Sequence, residues 1–553
     1  MPPVDHPWRR LRRWAVLAVA ASVVGSACGV DSGVVSLSVR PSDTNRASSS
    51  GAAVPPPDDT AATAPPAATV PAETLPPETV AEETTTTDPP SEPTLPPIVE
   101  PALNAEIPIS DVVDVDAAKP TRDYDDFVAV ALTDIDQWWS RVFPTVYGTE
   151  FTSLEGGIYA GYPERQSALP GCGQPTTAYD DLALFVAFYC EFGDFMVYDD
   201  DNRDVLAPLA AEFGPAVMGI VLAHEYGHAI QSRTGALDRR LPTIVTEQQA
   251  DCFAGAWTGQ AYRGESELLR LGDADVRAGL IAMLSVRDPV GTNQFVPGGH
   301  GAAFDRVGAF QVGFVDGPAR CAELIDEPLR LVPNEFIFQS DALRGGDASY
   351  DCTDDPDPAC RPAPEFLAED LDHFWDTELG GFDPVNPLPV TDLDDLACSE
   401  MSVIADAVVT CADDRTVRFH EPTVRELYAE YGDFTIGYYY GVAWAEFAQQ
   451  ALGSDLVGEQ RALLNDCYAG AWVRDITPDS NGSTPRQGDR DGDGNLDGIS
   501  SSPGDLDEAV RMAILEGDDG ANIDVAGTAF EKIAAIRVGA LGGLTACEAQ
   551  FAR

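Results

Sequence analysis

Apolar residues recur at helical spacing through the middle of the chain, from Val205 to about Ser232, and Gly235 follows as a stop signal. This pattern predicts one long helix. The same spacing predicts further helices at about 244–263, 273–286 and 302–314.

Ahead of the long helix, the chain turns to residues that favour strands. The run from Leu182 to Cys190 is rich in Phe, Val and Tyr, and a second run, Phe195 to Tyr198, follows a short turn. Two such runs predict a β-hairpin. We therefore expect an α+β fold in which helix dominates and the sheet is small.

The N-terminal part has a different character. Arginines at positions 9, 10, 12 and 13 precede an apolar stretch, Trp14 to Val24, and small residues run to Ala27. This order is typical of an export signal over residues 1–27. Cys28 then lies where a bacterial lipoprotein signal places its acylated cysteine, so we expect a lipid anchor in the membrane. The alternative is cleavage after Ala27, which releases a soluble protein.

Runs of Pro, Thr, Ala, Ser and Glu fill residues 41 to about 105. Such runs bury too little apolar surface to fold, so residues 28–120 are predicted to form a disordered stalk.

Beyond the stalk, blocks of sequence recur in the same order. Asp134–Trp139 (DIDQWW) returns as Asp370–Trp375 (DLDHFW), and Asp251–Trp257 (DCFAGAW) returns as Asp466–Trp472 (DCYAGAW). Recurrence in order indicates an internal duplication. We expect copy 1 at 121–345, a connector at 346–364 and copy 2 at 365–553.

Cys28 aside, ten cysteines remain, an even number that favours disulfides in an exported protein. Each copy keeps one cysteine pair before the motif helix and one after it, which suggests the pairing by analogy between the copies. The predicted disulfides are Cys172–Cys190, Cys252–Cys321, Cys352–Cys360, Cys398–Cys411 and Cys467–Cys547.

The net charge of the chain bears on which macromolecules it can bind. The chain has 91 acidic and 34 basic residues, a net charge of −57. Such a surface repels phosphate backbones, so we expect no nucleic-acid partner.

The long helix carries His224-Glu225-Tyr226-Gly227-His228. Residues four apart share a helix face, so both imidazoles can reach one cation while Glu225 projects beside them. Zinc accepts nitrogen and oxygen ligands and keeps a position open for water. The structural alternative is a pair of hydrogen-bonded histidines in the core.

The third ligand is predicted one helix downstream. Thr234 stands where an extended metzincin motif needs histidine, whereas Glu247 can ligate. Asp251, one turn later, can accept a hydrogen bond from a liganding imidazole. A solvated surface carboxylate is the alternative for Glu247.

These residues resemble the neutral zinc metallopeptidase family of bacteria. The resemblance rests on Ala223–Gln231 (AHEYGHAIQ), Glu247–Trp257 (EQQADCFAGAW) and His300–Phe314 (HGAAFDRVGAFQVGF). It covers copy 1 well, copy 2 weakly and the stalk not at all. It implies a zincin-like catalytic domain of the gluzincin type, with His224, His228 and Glu247 as zinc ligands and Glu225 as the catalytic residue, and it names no substrate.

The expected chemistry is hydrolysis of a peptide bond. Zinc would activate water and polarise the carbonyl, while Glu225 takes the water's proton and passes it to the leaving amine. A further donor would stabilise the oxyanion. His300 is preferred over Arg306 and Tyr226, and a structural role is the alternative for each.

Copy 2 lacks the predicted ligands. Aligning Phe213 with Phe434 places Ala445 and Gln449 opposite the two histidines, and Ala462 falls opposite Glu247. We therefore expect a degenerate metallopeptidase-like domain without zinc, for which shielding, substrate binding and stabilisation all remain open.

Copy 2 also contains a run of alternating oxygen-bearing side chains with a glycine at the sixth position, which resembles a calcium loop. Ser500 stands where the closing glutamate is expected. The candidate Ca²⁺ ligands are Asp489, Asp491, Asp493, Asn495 and Asp497; a solvated acidic loop is the alternative.

Together these features predict an exported, membrane-anchored bacterial zinc peptidase that acts on a peptide or protein. The competing hypothesis is a non-catalytic surface scaffold built from paired metallopeptidase-like domains. Glu225 argues against it, because structural zinc usually has four protein ligands and needs no free base.

Overall fold

We describe the fold from a computed structural model of the chain. The structure describes residues 101–552 except 178, 180–185, 202–205, 338–341, 343–344, 354–359, 479–483, 485–498 and 518–526. All of these described residues belong to one compact unit. We call residues 101–337 the first half and residues 345–552 the second half.

The first half consists of long helices around a small sheet. Its helices are α1 Asp125–Tyr147, α2 Leu206–Phe213, α3 Ala216–Thr234, α4 Thr243–Tyr262, α5 Asp273–Ser285 and α6 Ala303–Glu323. Its strands are β1 Ala102–Leu103, β2 Gly157–Gly161, β3 Leu169–Pro170, β4 Thr176–Thr177, β5 Ala187–Cys190, β6 Phe195–Asp199 and β7 Leu269–Arg270. Two 3₁₀ turns lie at Ile109–Asp111 and Leu237–Arg239.

The second half follows the same order of elements. Its helices are α7 Ala363–Leu379, α8 Glu421–Tyr431, α9 Phe434–Ala451, α10 Gly458–Ile476, α11 Asp505–Glu516 and α12 Ala529–Phe551. Its strands are β8 Asn386–Val390, β9 Met401–Ala405, β10 Val408–Cys411 and β11 Thr416–His420, with a 3₁₀ turn at Leu393–Leu396. The predicted helix-dominant α+β class is confirmed.

The two sheets share a topology. In the first half the order is β2-β6-β5, with β2 parallel and β5 antiparallel to β6. In the second half the order is β8-β11-β10-β9, with β8 parallel and β10 antiparallel to β11. The predicted hairpin is therefore β5–β6, and β10–β11 is its counterpart. Strand β9 adds a fourth member to the second sheet.

Close helix packing also repeats between the halves. A Cβ atom at Gly255 of α4 would collide with the carbonyl oxygen of Phe310 on α6, and one at Gly470 of α10 would collide with that of Ile536 on α12. Only glycine permits such an approach. Non-helical glycines, Gly317 (φ 79°) and Gly543 (φ 70°), interrupt α6 and α12.

Two sequence-based boundaries need correction. The long helix predicted from 205 to 232 is two helices, because Gly214 has a left-handed φ of 93° and Pro215 follows it. The predicted stalk extended to residue 120, yet Ala102–Leu103 pairs with β7 and Val113 is buried. The aliphatic residues that follow 106 supply the apolar surface that the Pro-rich run lacks.

One hydrophobic core runs through both halves. At their contact, Gln311 Nε2 on α6 donates to the carbonyl oxygen of Phe530 at 2.8 Å, and Arg537 on α12 donates to that of Phe304. Gln311 corresponds to Arg537, and Phe304 corresponds to Phe530. Each half thus donates from one position and accepts at the other, as at the interface of a twofold dimer.

The structure contains the five disulfides suggested by the analogy between the copies. Within residues 101–552, outside the gaps, no helix has the length and apolar character needed to cross a membrane.

Candidate metal centre

Two packed helices bring the predicted ligands together. His224 and His228 lie one turn apart on α3, and Glu247 lies on α4, where its side chain is fully buried. The Nε2 atoms of His224 and His228 are 3.2 and 3.5 Å from the two Glu247 carboxylate oxygens. Ligand atoms bound about 2.0–2.1 Å from a tetrahedral zinc lie about 3.3 Å apart, so the three side chains fit that ion.

Hydrogen bonding on the far side of each ring decides which nitrogen faces the centre. His224 Nδ1 is 2.7 Å from Asp251 Oδ1. An ionised carboxylate only accepts, so Nδ1 carries a proton and Nε2 is the nitrogen that faces Glu247, where a metal ion can take the place of a proton. Asp251 thus lies where the sequence predicted a hydrogen-bond partner for a liganding imidazole.

Gln231, which sequence reasoning missed, orients the second imidazole. Its Nε2 donates to the carbonyl oxygen of Thr246 at 2.6 Å, which turns its Oε1 towards His228 Nδ1 at 2.9 Å. His228 Nδ1 is therefore the donor, and Nε2 is turned towards Glu247. Gln231 lies three residues after His228 and so on the same helix face. This spacing is the sequence signal that could have identified Gln231.

Within the described residues, both oxygens of Glu247 are buried and accept no hydrogen bond from any group other than the two imidazoles that face them. Nε2 of each imidazole thus faces the carboxylate, and a positive charge between them, either a ring proton or a metal ion, stabilises this arrangement. Burial opposes the charged imidazolium, yet Asp251 and Glu247 raise the pKa of His224 to about 10. Burial would raise the pKa of Glu247, but His228 and then His300 hold it well below its usual range.

Glu225 stands beside the ligands without being one. Its side chain is 5% exposed, and Oε2 accepts the Tyr189 backbone N–H at 3.0 Å. That bond ties the carboxylate to β5 and leaves Oε1 for a water molecule. Tyr189 was not among the predicted residues, since backbone donors carry no residue-type signal.

The three candidates for the oxyanion donor, His300, Tyr226 and Arg306, have different surroundings. His300 is near enough to Glu247 to lower its pKa, and its Nδ1 lies 3.4 Å from Asp288 Oδ1. Tyr226 donates to Asp136 on α1 at 2.5 Å and is buried there. Arg306 is committed to Asp251 and to the carbonyl oxygen of Val286. The structural alternative therefore holds for Tyr226 and Arg306.

The second half shows which positions correspond to the ligands. Gln231 and Gln449 donate to the equivalent carbonyl oxygens of Thr246 and Arg461. Gly214 and Gly432, each with a positive φ, precede α3 and α9 alike. The alignment of Phe213 with Phe434 was therefore wrong by three residues, because apolar helix positions match in several registers.

In the corrected register, Val442 stands opposite His224, Ala443 opposite Glu225 and Glu446 opposite His228, while Ala462 still faces Glu247. In this register the second half has no histidine at the two positions opposite His224 and His228, and no carboxylate opposite Glu247.

An internal ion pair occupies this part of the second half. Arg461 Nε and one terminal nitrogen lie 2.8 and 2.7 Å from the Glu446 carboxylate oxygens. Asn465 Nδ2 and Ser402 Oγ donate to the same carboxylate at 2.9 and 3.1 Å. The positive charge beside Glu446 therefore comes from the Arg461 guanidinium.

The candidate Ca²⁺ ligands, Asp489, Asp491, Asp493, Asn495 and Asp497, and the candidate lipid anchor, Cys28, lie outside the described residues.

A comparison with known families finds a match to the first half. Residues 108–324 match the model of the family described as "Putative neutral zinc metallopeptidase", a zinc peptidase family. The match includes every ligand candidate of the first half and ends before the second half.

Two bacterial relatives also match the chain. The uncharacterized protein Rv2575 of Mycobacterium tuberculosis is 32% identical over 151 residues, which are 24% of this chain and 52% of the relative. The uncharacterized protein YpfJ of Escherichia coli K12 is 29% identical over 217 residues, 35% of this chain and 69% of the relative. The chain thus spans about half the length of the mycobacterial relative. No solved structure matches it.

Proposed function

We propose that this protein is a zinc-dependent peptidase with one active centre, in the first half. His224, His228 and Glu247 hold the ion, Asp251 and Gln231 orient the two imidazoles, and Glu225 is the general base.

Glu225 is the observation that carries the proposal. It is a buried carboxylate on the ligand helix, held by the Tyr189 N–H and not needed to complete the ligand set. A purely structural zinc site takes four protein ligands and no free base, whereas a catalytic site takes three and leaves a position open.

The chain's own residues would divide the work as follows. Zinc, when bound, supplies a Lewis acid that polarises a carbonyl and acidifies water. Glu225 Oε1 accepts the proton of the attacking water and returns it to the leaving amine. His300, held by Asp288, is the proposed donor to the developing oxyanion.

The sheet supports an extended peptide as substrate. Among the described residues, the ladder partner of β5 is β6, and Tyr189 of β5 donates its backbone N–H to Glu225. Strand β5 therefore runs beside the proposed general base, where an extended chain can align with it through backbone hydrogen bonds. In the second half, β9 occupies the corresponding edge of β10.

We further propose that the peptidase is exported and held at the membrane through Cys28. The residues that precede Cys28 and the five disulfides support this location, since disulfides persist in oxidising compartments. Replacing Cys28 with serine should release the protein from the membrane fraction. Unchanged partitioning would contradict the anchor.

A peptide library tests the activity itself. The zinc-loaded chain should cleave a set of peptides, a chelator should stop cleavage, and added zinc should restore it. A library that stays intact with the zinc-loaded chain would favour the non-catalytic scaffold instead.

A further inference from the structure

Arg306 fixes the carboxylate that orients His224. The side chain is 2% exposed, and its Nε and one terminal nitrogen lie 3.0 and 2.7 Å from the two Asp251 oxygens. The other terminal nitrogen donates to the carbonyl oxygen of Val286, just after α5, at 2.6 Å. The guanidinium is thus clamped between α4 and the end of α5, and Asp251 has little freedom to turn away from His224.

Both segments around Arg306 are in turn held by one residue of the second half. Asp507 on α11 accepts the backbone N–H of Phe304, two residues before Arg306, at 2.9 Å. Its other oxygen accepts Arg287 Nε, next to Val286, at 2.8 Å. Asp507 is 3% exposed, so water does not easily replace either bond.

We propose that the second half positions the metal centre of the first half, with Asp507 acting through Arg306 and Asp251 on His224. Asp507 and Arg306 are positioning residues and do not themselves touch the ion. The inference rests on the proposed metal centre and gives the second half a role that its lost ligands left open.

Gln311 provides a matched control, because its loss weakens the contact between the halves without affecting the path to His224. Gln311 also lies on α6 and also bonds to the second half, through the carbonyl oxygen of Phe530. It has no described bond to Arg306, Asp251 or a ligand. Losing Gln311 should therefore loosen the same contact without disturbing the metal centre.

The second half also suggests a substitution that the fold tolerates. Lys532, the equivalent of Arg306, lies 2.8 Å from Asp466, the equivalent of Asp251. A lysine therefore fits this position as an ion-pair partner, but it cannot hold both carboxylate oxygens and a carbonyl oxygen as a guanidinium does.

The experiment measures Zn²⁺ affinity of the full chain by competition with a chelator, alongside thermal unfolding of the metal-free protein. Arg306→Lys should weaken zinc binding by about 10–100-fold and Asp507→Ala by about 10-fold, the range for residues that orient ligands. The double variant should bind zinc as Arg306→Lys does, since both act along one path. Gln311→Ala should unfold at a lower temperature with unchanged zinc affinity.

Unchanged affinity in Asp507→Ala, an equal loss in Gln311→Ala, or additive losses in the double variant would each overturn the inference. Should Asp507→Ala fail to fold, Asp507→Asn keeps the shape and one acceptor, and a few-fold loss is expected. Zinc binding that is absent from the wild-type chain would overturn the proposed function first, and this inference with it.

Discussion

The two halves place nearly the same helices around two very different polar centres. In the first half, the Glu247 oxygens are buried and face two imidazoles, with no other hydrogen-bond partner among the described residues. In the second half, Glu446 is satisfied by Arg461, Asn465 and Ser402. A buried polar group without a partner calls for an explanation, and a cation between Glu247 and the two imidazoles supplies one. Among the described residues, the comparison therefore favours the first half over the equivalent positions of the second half as the zinc site.

The residues that both halves share explain why the fold survived this change. Trp257 donates to Asp134 at 2.8 Å, and Trp472 donates to Asp370 at 2.9 Å, linking the DCxAGAW helix to the first long helix in each half. None of these residues reaches the metal centre. These shared contacts do not involve the three ligand positions, so a half without the ligands keeps the same helix packing.

The largest effect should come from Glu225, the proposed general base, which Ala443 replaces in the second half. Glu225→Gln should lower the rate of peptide hydrolysis by about 100-fold or more, because an amide cannot accept the proton of water. Zinc content should stay at the wild-type level, since no ligand is removed. Steady-state hydrolysis and metal analysis of the same preparation measure the two quantities. Full activity in this variant would refute the peptidase mechanism.

A mirror experiment removes the counterpart of His228. Glu446→Ala leaves the largely buried Arg461 guanidinium without its carboxylate, which should lower the free energy of unfolding by about 2–4 kcal/mol. Urea unfolding of the metal-free chain measures the loss. Zinc content should not change, and a fall in zinc content would show that the second half takes part in metal binding.

A smaller effect concerns the pH dependence of stability, which should arise from a buried carboxyl group that only the second half has at this helix position. Burial raises the pKa of Glu516 on α11 to about 7, although Tyr439 and Lys532 oppose the shift. Leu284 occupies the equivalent position of α5. The folded protein keeps the Glu516 carboxyl protonated up to about pH 7, whereas the unfolded chain ionises it above about pH 4.5. Stability therefore falls as pH rises between these values.

Glu516→Gln removes this dependence. The variant should exceed the wild type in unfolding free energy by about 1–3 kcal/mol at pH 8 and by little at about pH 5. Unfolding curves at the two pH values test it. An equal gain at both would mean that packing, and not ionisation, sets the difference.

Much of the candidate site could be predicted from the sequence because spacing on a helix fixes which side chains share a face. His224, Glu225 and His228 follow from that rule, and the duplication suggested how the cysteines pair. The structure brings Glu247 and Asp251 to the same place.

What the sequence did not predict depends on contacts between distant segments. The Tyr189 N–H, the amide of Gln231 and the guanidinium of Arg306 reach the site through tertiary packing. The three-residue error in aligning α9 arose because apolar periodicity repeats every three to four residues. Polar contacts fix the correct register. Trp444 bonds to Asp372 in the second half just as Tyr226 bonds to Asp136 in the first.

The count and location of zinc test the central claim most directly. Metal analysis of the full chain should find one zinc per chain in the wild type, and Glu247→Gln should lose it at chelator concentrations that leave the wild type loaded. Glutamine keeps the size of the side chain and removes the charge that the ion requires. Two zinc ions per chain, or one zinc that survives Glu247→Gln with unchanged affinity, would contradict a single metal centre in the first half.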